Sequence, residues 1–210
     1  LEGETSFPNA VKRIEASEGF PVRTKRNTFI FIYQSSSGSW SLSGDHDDWQ
    51  GSPMKQMGDW WWIEQTINEP LNSRYKFHNQ DDWIADPLAR RYHYDKNGEI
   101  SFVNVSQQHL ERWDSLMNDR RIRVWVPENG VFDRILYIHD GQNIYDPTAM
   151  WGGWRLQDSL PSRILCVAID NNAERLNEYT HTSDCINGVE IGGDADEYLE
   201  RIESEVRPRI

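Results

Sequence analysis

The stretch Arg134-Ile-Leu-Tyr-Ile-His-Asp-Gly-Gln-Asn-Ile-Tyr-Asp146 decides how the second half of this chain folds. An apolar run, Ile135 to Ile138, stops abruptly at the polar turn His139-Asp-Gly-Gln-Asn143. A run of this kind with little polar alternation reads as a strand covered on both faces. Its end delivers backbone amides into a glycine-containing turn, and fixed amides are one half of a receptor for a developing oxyanion. The other half normally follows a nucleophile on a Gly-x-Ser-x-Gly elbow, and that pattern occurs nowhere in the 210 residues.

Working outward, Arg121-Ile-Arg-Val-Trp-Val126 alternates and ends at Pro127, and Arg163 to Ile169 is a second near-continuous apolar run. Trp151 to Leu160 between them reads as a helix. The tail from Asp194 to Pro208 carries Ala195, Tyr198, Leu199, Ile202 and Val206 at helical spacing. Strand, strand, helix, strand, helix is the opening of an α/β layer domain. Three strands do not complete such a sheet. We therefore expect an exposed apolar edge after Ala168, a last helix with one face unpartnered, and either self-association or a complementing C-terminal chain.

Before this stretch the chain reads as β. Thr28 to Tyr33, Trp40 to Ser43, Trp60 to Thr66, Arg74 to Phe77 and Glu99 to Val103 are rich in β-formers and separated by Gly, Pro, Asn and Asp turns. Ser35 to Ser39 fits a hairpin loop. Close spacing of short strands suggests a small β-sandwich. Residues 107 to 118 have helix-friendly composition. The organisation expected is a sandwich over 1–106, a connector over 107–120 and an incomplete α/β domain over 121–210.

The net charge of -12 argues against nucleic acid and anionic membrane as partners, since both would be repelled. No run approaches transmembrane length. Cys166, inside an apolar run, reads as a reduced core cysteine, and Cys185 sits in a polar loop where it could be free or paired. Asp45-His-Asp-Asp48 lacks a second patch with ligand spacing, so it reads as a solvated loop rather than a metal site. Asn104-Val-Ser106 is a glycosylation sequon, informative only for a secreted eukaryotic source. No phosphate loop or dinucleotide fingerprint is present, and no cofactor is expected. The opening Leu1-Glu2-Gly3 looks like processing or a cloning junction, which leaves the location unknown, with a weak lean toward periplasmic or secreted.

Residues 121 to 210 resemble the enterochelin-esterase-like group of α/β-hydrolases, also called the esterase D family. The matching motifs, in order, are Arg123-Val-Trp-Val-Pro127, Leu136-Tyr-Ile-His-Asp-Gly-Gln-Asn143, Trp151-Gly-Gly-Trp154 with Asp158, and Ala168-Ile-Asp-Asn171. Arg175 with Glu178-Tyr-Thr180, and Gly192-Gly193 before Tyr198, continue the series. Residues 28 to about 105 resemble the immunoglobulin-like early-set sandwich that precedes such esterases and also forms glycogen-binding modules of the CBM48 type. That match rests on Leu42-Ser-Gly-Asp45, Asp47-Asp-Trp49, Met54, Tyr75-Lys-Phe77, Trp83 and Asp86-Pro87.

The resemblance implies hydrolysis of a siderophore or carbohydrate ester through a serine acyl-enzyme, with the nucleophile, acid and base absent from this chain. It implies oxyanion donors at the Gly141 and Gln142 amides. His139 then has a structural hydrogen-bonding role, and His181 reads as a solvated loop histidine. Trp151 and Trp154 would form an aromatic wall for substrate, or else pack an early helix turn. Arg175 and Glu178 would pair with each other beside the pocket, contacting substrate or bracing it. In the first module Trp49, Lys76 and Trp83 would form a sugar platform; the alternative is that the two tryptophans close the sandwich core and Lys76 is solvated. The competing reading of the whole chain is a non-catalytic glycan- or partner-binding module with a degenerate hydrolase remnant.

Overall fold

A computed structural model describes residues 6–117 and 120–210, without the side chains of Ser115 and Trp151. The chain opens with α1 (Phe7–Glu15), then β1 (Val22–Lys25), β2 (Thr28–Gln34), β3 (Ser41–Gly44), β4 (Ser52–Pro53), β5 (Lys55–Met57) and β6 (Trp60–Thr66). There follow β7 (Arg74–His78), β8 (Trp83–Ile84), β9 (Arg91–Asp95), β10 (Gly98–Phe102), β11 (His109–Leu116) and β12 (Arg120–Val126). The last part holds β13 (Arg134–His139), β14 (Ile164–Ile169), α2 (Arg175–Glu178), the hairpin β15 (Ser183–Ile186) and β16 (Val189–Gly192), and α3 (Ala195–Arg201). A π-helical segment, Ile202–Val206, extends α3.

The molecule is mostly β-sheet and its first half is sandwich-like. One sheet has the order β1-β2-β6-β5. The other has ten strands in the order β13-β14-β12-β11-β9-β10-β7-β3-β4, with β8 on β7. Phe29, Phe31 and Trp61 of the first sheet bury against Leu42, Tyr75 and Phe77 of the second. Alternation along each strand aims these residues inward, and burial of their apolar area is the main stabilising term. Ser35 to Ser39 is not a hairpin loop, because β2 and β3 belong to different sheets. It crosses between the sheets, and its carbonyls receive two core indoles: Trp61 Nε1 donates to Ser35 O at 3.1 Å and Trp40 Nε1 to Ser37 O at 3.0 Å.

The segment expected as a helical connector is a strand. β11 pairs antiparallel with β12, Leu110 facing Trp125 and Trp113 facing Ile122, and also with β9, Leu110 facing Tyr92. Sheet pairing on both sides outweighs a helix propensity worth only tenths of a kcal/mol per residue. As a result, one hydrogen-bonded ladder runs unbroken from the sandwich into the second half.

β13 and β14 pair in parallel, and β14 pairs antiparallel with β12 on its other side. The edge expected after Ala168 is therefore internal. The open edge is β13, where Ile135 and Leu136 are 41% and 38% exposed. Tyr198, Ile202 and Val206 cover one face of this region against Ile122, Leu165, Val167 and Ile169. Ile144 and Tyr145 cover the other against Trp125, Cys166 and Ala168. The apolar face of the last helix thus has a partner, and only Leu199 of its predicted stripe remains exposed.

The helix expected over Trp151 to Leu160 is two short 3-10 turns, Met150–Gly152 and Leu156–Asp158. Gly152, Gly153 and Arg155 all take positive φ, which ends an α-helix. At Gly153 a Cβ would lie 2.1 Å from the Asp146 carbonyl oxygen, so only glycine allows this close return.

Candidate functional site

The carboxyl ends of β13 and β14 lie side by side, His139 in register with Ile169. In open α/β sheets ligands bind at such strand ends. Asp140 leaves β13 in the left-handed region, φ 57 and ψ 43, a conformation that Asp tolerates better than most residues. Gly141 to Asn143 then form one 3-10 turn. A Cβ on Gly141 would lie 2.7 Å from the Ala168 carbonyl carbon and oxygen and 2.8 Å from Asp170 Oδ1. This close approach to the end of β14 demands glycine, whatever the chemistry. Among the described residues neither the Gly141 nor the Gln142 amide has an acceptor within the chain.

Side chains brace the turn. Arg175 donates from Nε to Asp140 Oδ1 and from Nη2 to Oδ2, both at 2.8 Å, and Asn171 Nδ2 donates to Oδ1 at 2.8 Å. The Arg175 hydrogen bonds, with help from Asn171, hold the Asp140 carboxyl down at about 2. The Asn171 amide donates to Gln142 Oε1 at 3.1 Å. His139 Nδ1 lies 3.0 Å from the Tyr198 hydroxyl, and its ring packs against Tyr179 and Tyr198. Burial lowers its pKa below the ordinary histidine value.

Arg175 and Glu178 do not pair with each other. They stand three positions apart in α2, yet Arg175 turns to Asp140 and Glu178 to Arg120. Glu178 is buried and accepts twice from Arg120 Nη2, at 2.7 and 2.9 Å, beneath the Tyr198 ring. Trp154 is 70% exposed, and its amide donates to the Asn143 carbonyl at 2.9 Å, which hangs it from the back of the same turn. The Trp151 side chain lies outside the described residues. His181 is exposed and sits 3.1 Å from Asp196.

In the sandwich, Trp49, Lys76 and Trp83 line one cleft of about 490 Å³. None of the three belongs to the sandwich core. The Trp49 and Trp83 rings lie 6.1 Å apart at 44°, and Trp83 is 51% exposed. His78 stacks on Trp83 at 4.4 Å and 11°. Lys76 is not solvated: it is 7% exposed and donates to the Asn97 carbonyl at 3.3 Å. Asp48 and Trp49 both have positive φ, 52 and 61, which for a tryptophan is an outlier of the kind concentrated at functional positions.

The Asp45 to Asp48 loop is correspondingly not a freely solvated segment. Asp45 accepts from Trp49 Nε1 at 3.1 Å and from Arg74 Nε and Nη2 at 3.0 and 2.9 Å. Asp47 accepts from the Gly44 and Gly51 amides. A further cavity of about 480 Å³, between α1 and the sheets, is lined by Ile14, Phe29 and Arg91 and by none of the anticipated site residues. Cys166 is buried and Cys185 lies exposed on β15, both unpaired.

What the sequence reading missed is the support around each site. Arg120 beside the turn, and His78 and Asn97 beside the cleft, carry no local pattern that marks them, while Asn171 and Asp45 stand in matching motifs with no supporting role assigned to either. Only strand pairing brings them into place.

No family model matches the chain, and no curated protein matches it. Among solved structures it is similar to the enterobactin esterase FES from Shigella flexneri in the presence of enterobactin, with 15% identity and a TM-score of 0.37. That alignment covers 98% of this chain and 65% of the other. It is also similar to the ferric enterobactin esterase (fes) from Salmonella typhimurium, with 16% identity, a TM-score of 0.30, and coverage of 91% of this chain and 63% of that one. The chain spans less than two thirds of the length of these structures.

Proposed function

We propose that this chain is the N-terminal part of a carboxylic-ester hydrolase acting on a siderophore or carbohydrate ester, and that it supplies the oxyanion-receiving half of the site. The observation that carries this reading is the Gly141–Asn143 turn at the carboxyl end of β13, with two amides lacking acceptors among the described residues and the carboxylates of Asp140 and Asp170 bound by Arg175 and Arg123. Amides fixed before the reaction stabilise negative charge as it develops on the carbonyl oxygen. The nucleophile and its base come from outside these 210 residues. The open β13 edge is where a further strand, from the same polypeptide or another, would add. The test is hydrolysis of a model acetate ester by the full-length gene product. Hydrolysis abolished by a serine-reactive phosphonate is expected; its absence at any protein concentration would remove the proposal.

A second reading concerns the sandwich alone: a glycan-binding platform formed by Trp49, Lys76 and Trp83. It is favoured by the placement of all three in one cleft outside the core, with Trp49 held in a strained conformation. Exposed indole faces suit the CH surfaces of sugar rings, and the ammonium donates to hydroxyl oxygens.

A further inference from the structure

The cleft holding Trp49 has a neighbour. A second cleft of about 400 Å³ is lined by Ile84, Pro87, Glu99 and Arg112 together with Lys76, Trp83 and Asn97, and the last three also line the first. We propose that the two clefts are one groove, which binds a neutral oligosaccharide chain longer than the Trp49–Trp83 pair and leads it from the sandwich toward β11. This rests on the glycan-platform reading and extends it.

The shared residues are the midpoint. His78 covers one face of Trp83, so the indole presents a single open face, at the join of the two halves. Lys76 lies nearly buried there, and among the described residues its one acceptor is a backbone carbonyl. A buried ammonium normally finds an anionic partner or several acceptors, and ligand hydroxyls would complete this one. Besides the shared residues, the second cleft has apolar lining from Ile84, Ala85 and Pro87 and polar lining from Glu99 and Arg112, which form an ion pair. Arg112 is 6% exposed, and its Nε has no partner among the described residues. Arg112 belongs to β11, the strand that continues the sandwich ladder into the second half.

The occupant's chemistry follows from the lining. Each half has an apolar surface for ring faces, and both donors and acceptors at its rim: Lys76 and Arg74 with Asp95 in one, Arg112 with Glu99 in the other. Carboxylates in both halves, on a chain of net charge -12, disfavour an acidic polymer. Neutral, hydroxyl-rich rings satisfy both signs.

The test is titration by tryptophan fluorescence with malto- and xylo-oligosaccharides of increasing length. It uses the unsubstituted chain, Trp49→Ala, and Ala85→Trp, which fills the second cleft only. Affinity should rise by about tenfold from disaccharide to hexasaccharide, the scale of one further stacking or hydrogen-bonding contact. Ala85→Trp should remove that gain while leaving the disaccharide unchanged, and Trp49→Ala should weaken every length. As a check independent of that variant, the Ile84 and Glu99 amide resonances should shift with the longer ligands only. Length-independent affinity, with those amides unmoved, would overturn the groove and leave the platform standing. No binding by any member of either series would remove both.

Discussion

The Trp49 cleft and the Gly141 turn are built on different plans. The cleft is made of side chains from strands that are already paired, with Trp49 from the loop that joins β3 to β4, and Trp49 and Trp83 are fixed by Asp45 and His78. The turn is made of backbone, at the ends of two parallel strands, and its side chains are spent on one another: Asp140 on Arg175 and Asn171, Gln142 on the Asn171 amide. The first kind of site is finished once its strands pair. The second lies in the loop after β13 and is held by Asn171 and Arg175, which follow β14, so it depends on two loops meeting.

Predictions that sharpen this contrast begin with the largest effect. Glu178→Ala strands a buried Arg120 beside the turn's support, and the loss expected is about 3–5 kcal/mol by urea unfolding. Trp83→Ala, at an exposed position, should cost under about 1 kcal/mol while removing sugar binding. Equal losses would erase the distinction between the two plans.

Two carboxylates report on the regions separately. Asp86 is fully buried in the sandwich, accepts from the Tyr75 hydroxyl at 2.7 Å, and is pushed up to about 6 by burial. Because its folded pKa exceeds the unfolded value of about 3.9, its contribution is present below about pH 4 and lost as pH rises through about 6. That contribution is on the order of 3 kcal/mol, and Asp86→Asn should flatten the stability profile across this window.

At the turn, Gly141→Ala forces a Cβ against the Ala168 carbonyl and should cost about 1–3 kcal/mol. Arg175→Met gives the smallest effect. Asp140 has a depressed pKa, so the pair stabilises above about pH 4 and is lost as pH falls toward about 2. Arg175 is 43% exposed and solvent screens the pair, so the change should be smaller than that of Gly141→Ala. An acid titration of the Asp140 carboxyl carbon would show it directly, as a return toward the ordinary aspartate range.

Much of this architecture was legible in the sequence, for reasons that also explain the exceptions. Thr28 to Tyr33, Trp60 to Thr66 and Arg134 to His139 carry strong β patterns and form strands. The spacing of Ala195, Tyr198, Ile202 and Val206 marks the final helix, and all four are buried. Residues 109–116 mislead because their composition suits a helix, while two neighbouring strands claim their backbone. The run Ile164 to Ile169 reads correctly as a buried strand, but strand order is not written in any one strand, so the open edge was assigned to the wrong one. The β15–β16 hairpin turns at Asn187-Gly188, a dipeptide signal for a tight hairpin that was there to be read. Arg175 and Glu178 show the limit for sites: sequence proximity suggested a pair, whereas partners 35 and 58 residues away hold them.

The central claim, that the Gly141–Asn143 turn receives an oxyanion, is tested most directly by deleting one amide. In the full-length gene product, Gln142→Pro removes that donor in the first helical turn, and Gln142→Ala, which loses only the side-chain acceptor of the Asn171 amide, is the control that should keep its kcat. The account predicts a kcat for a model ester lowered about 100- to 1000-fold, with KM little changed and the thermal unfolding midpoint close to that of the unsubstituted protein. Phosphonate-sensitive hydrolysis with kcat undiminished would contradict it.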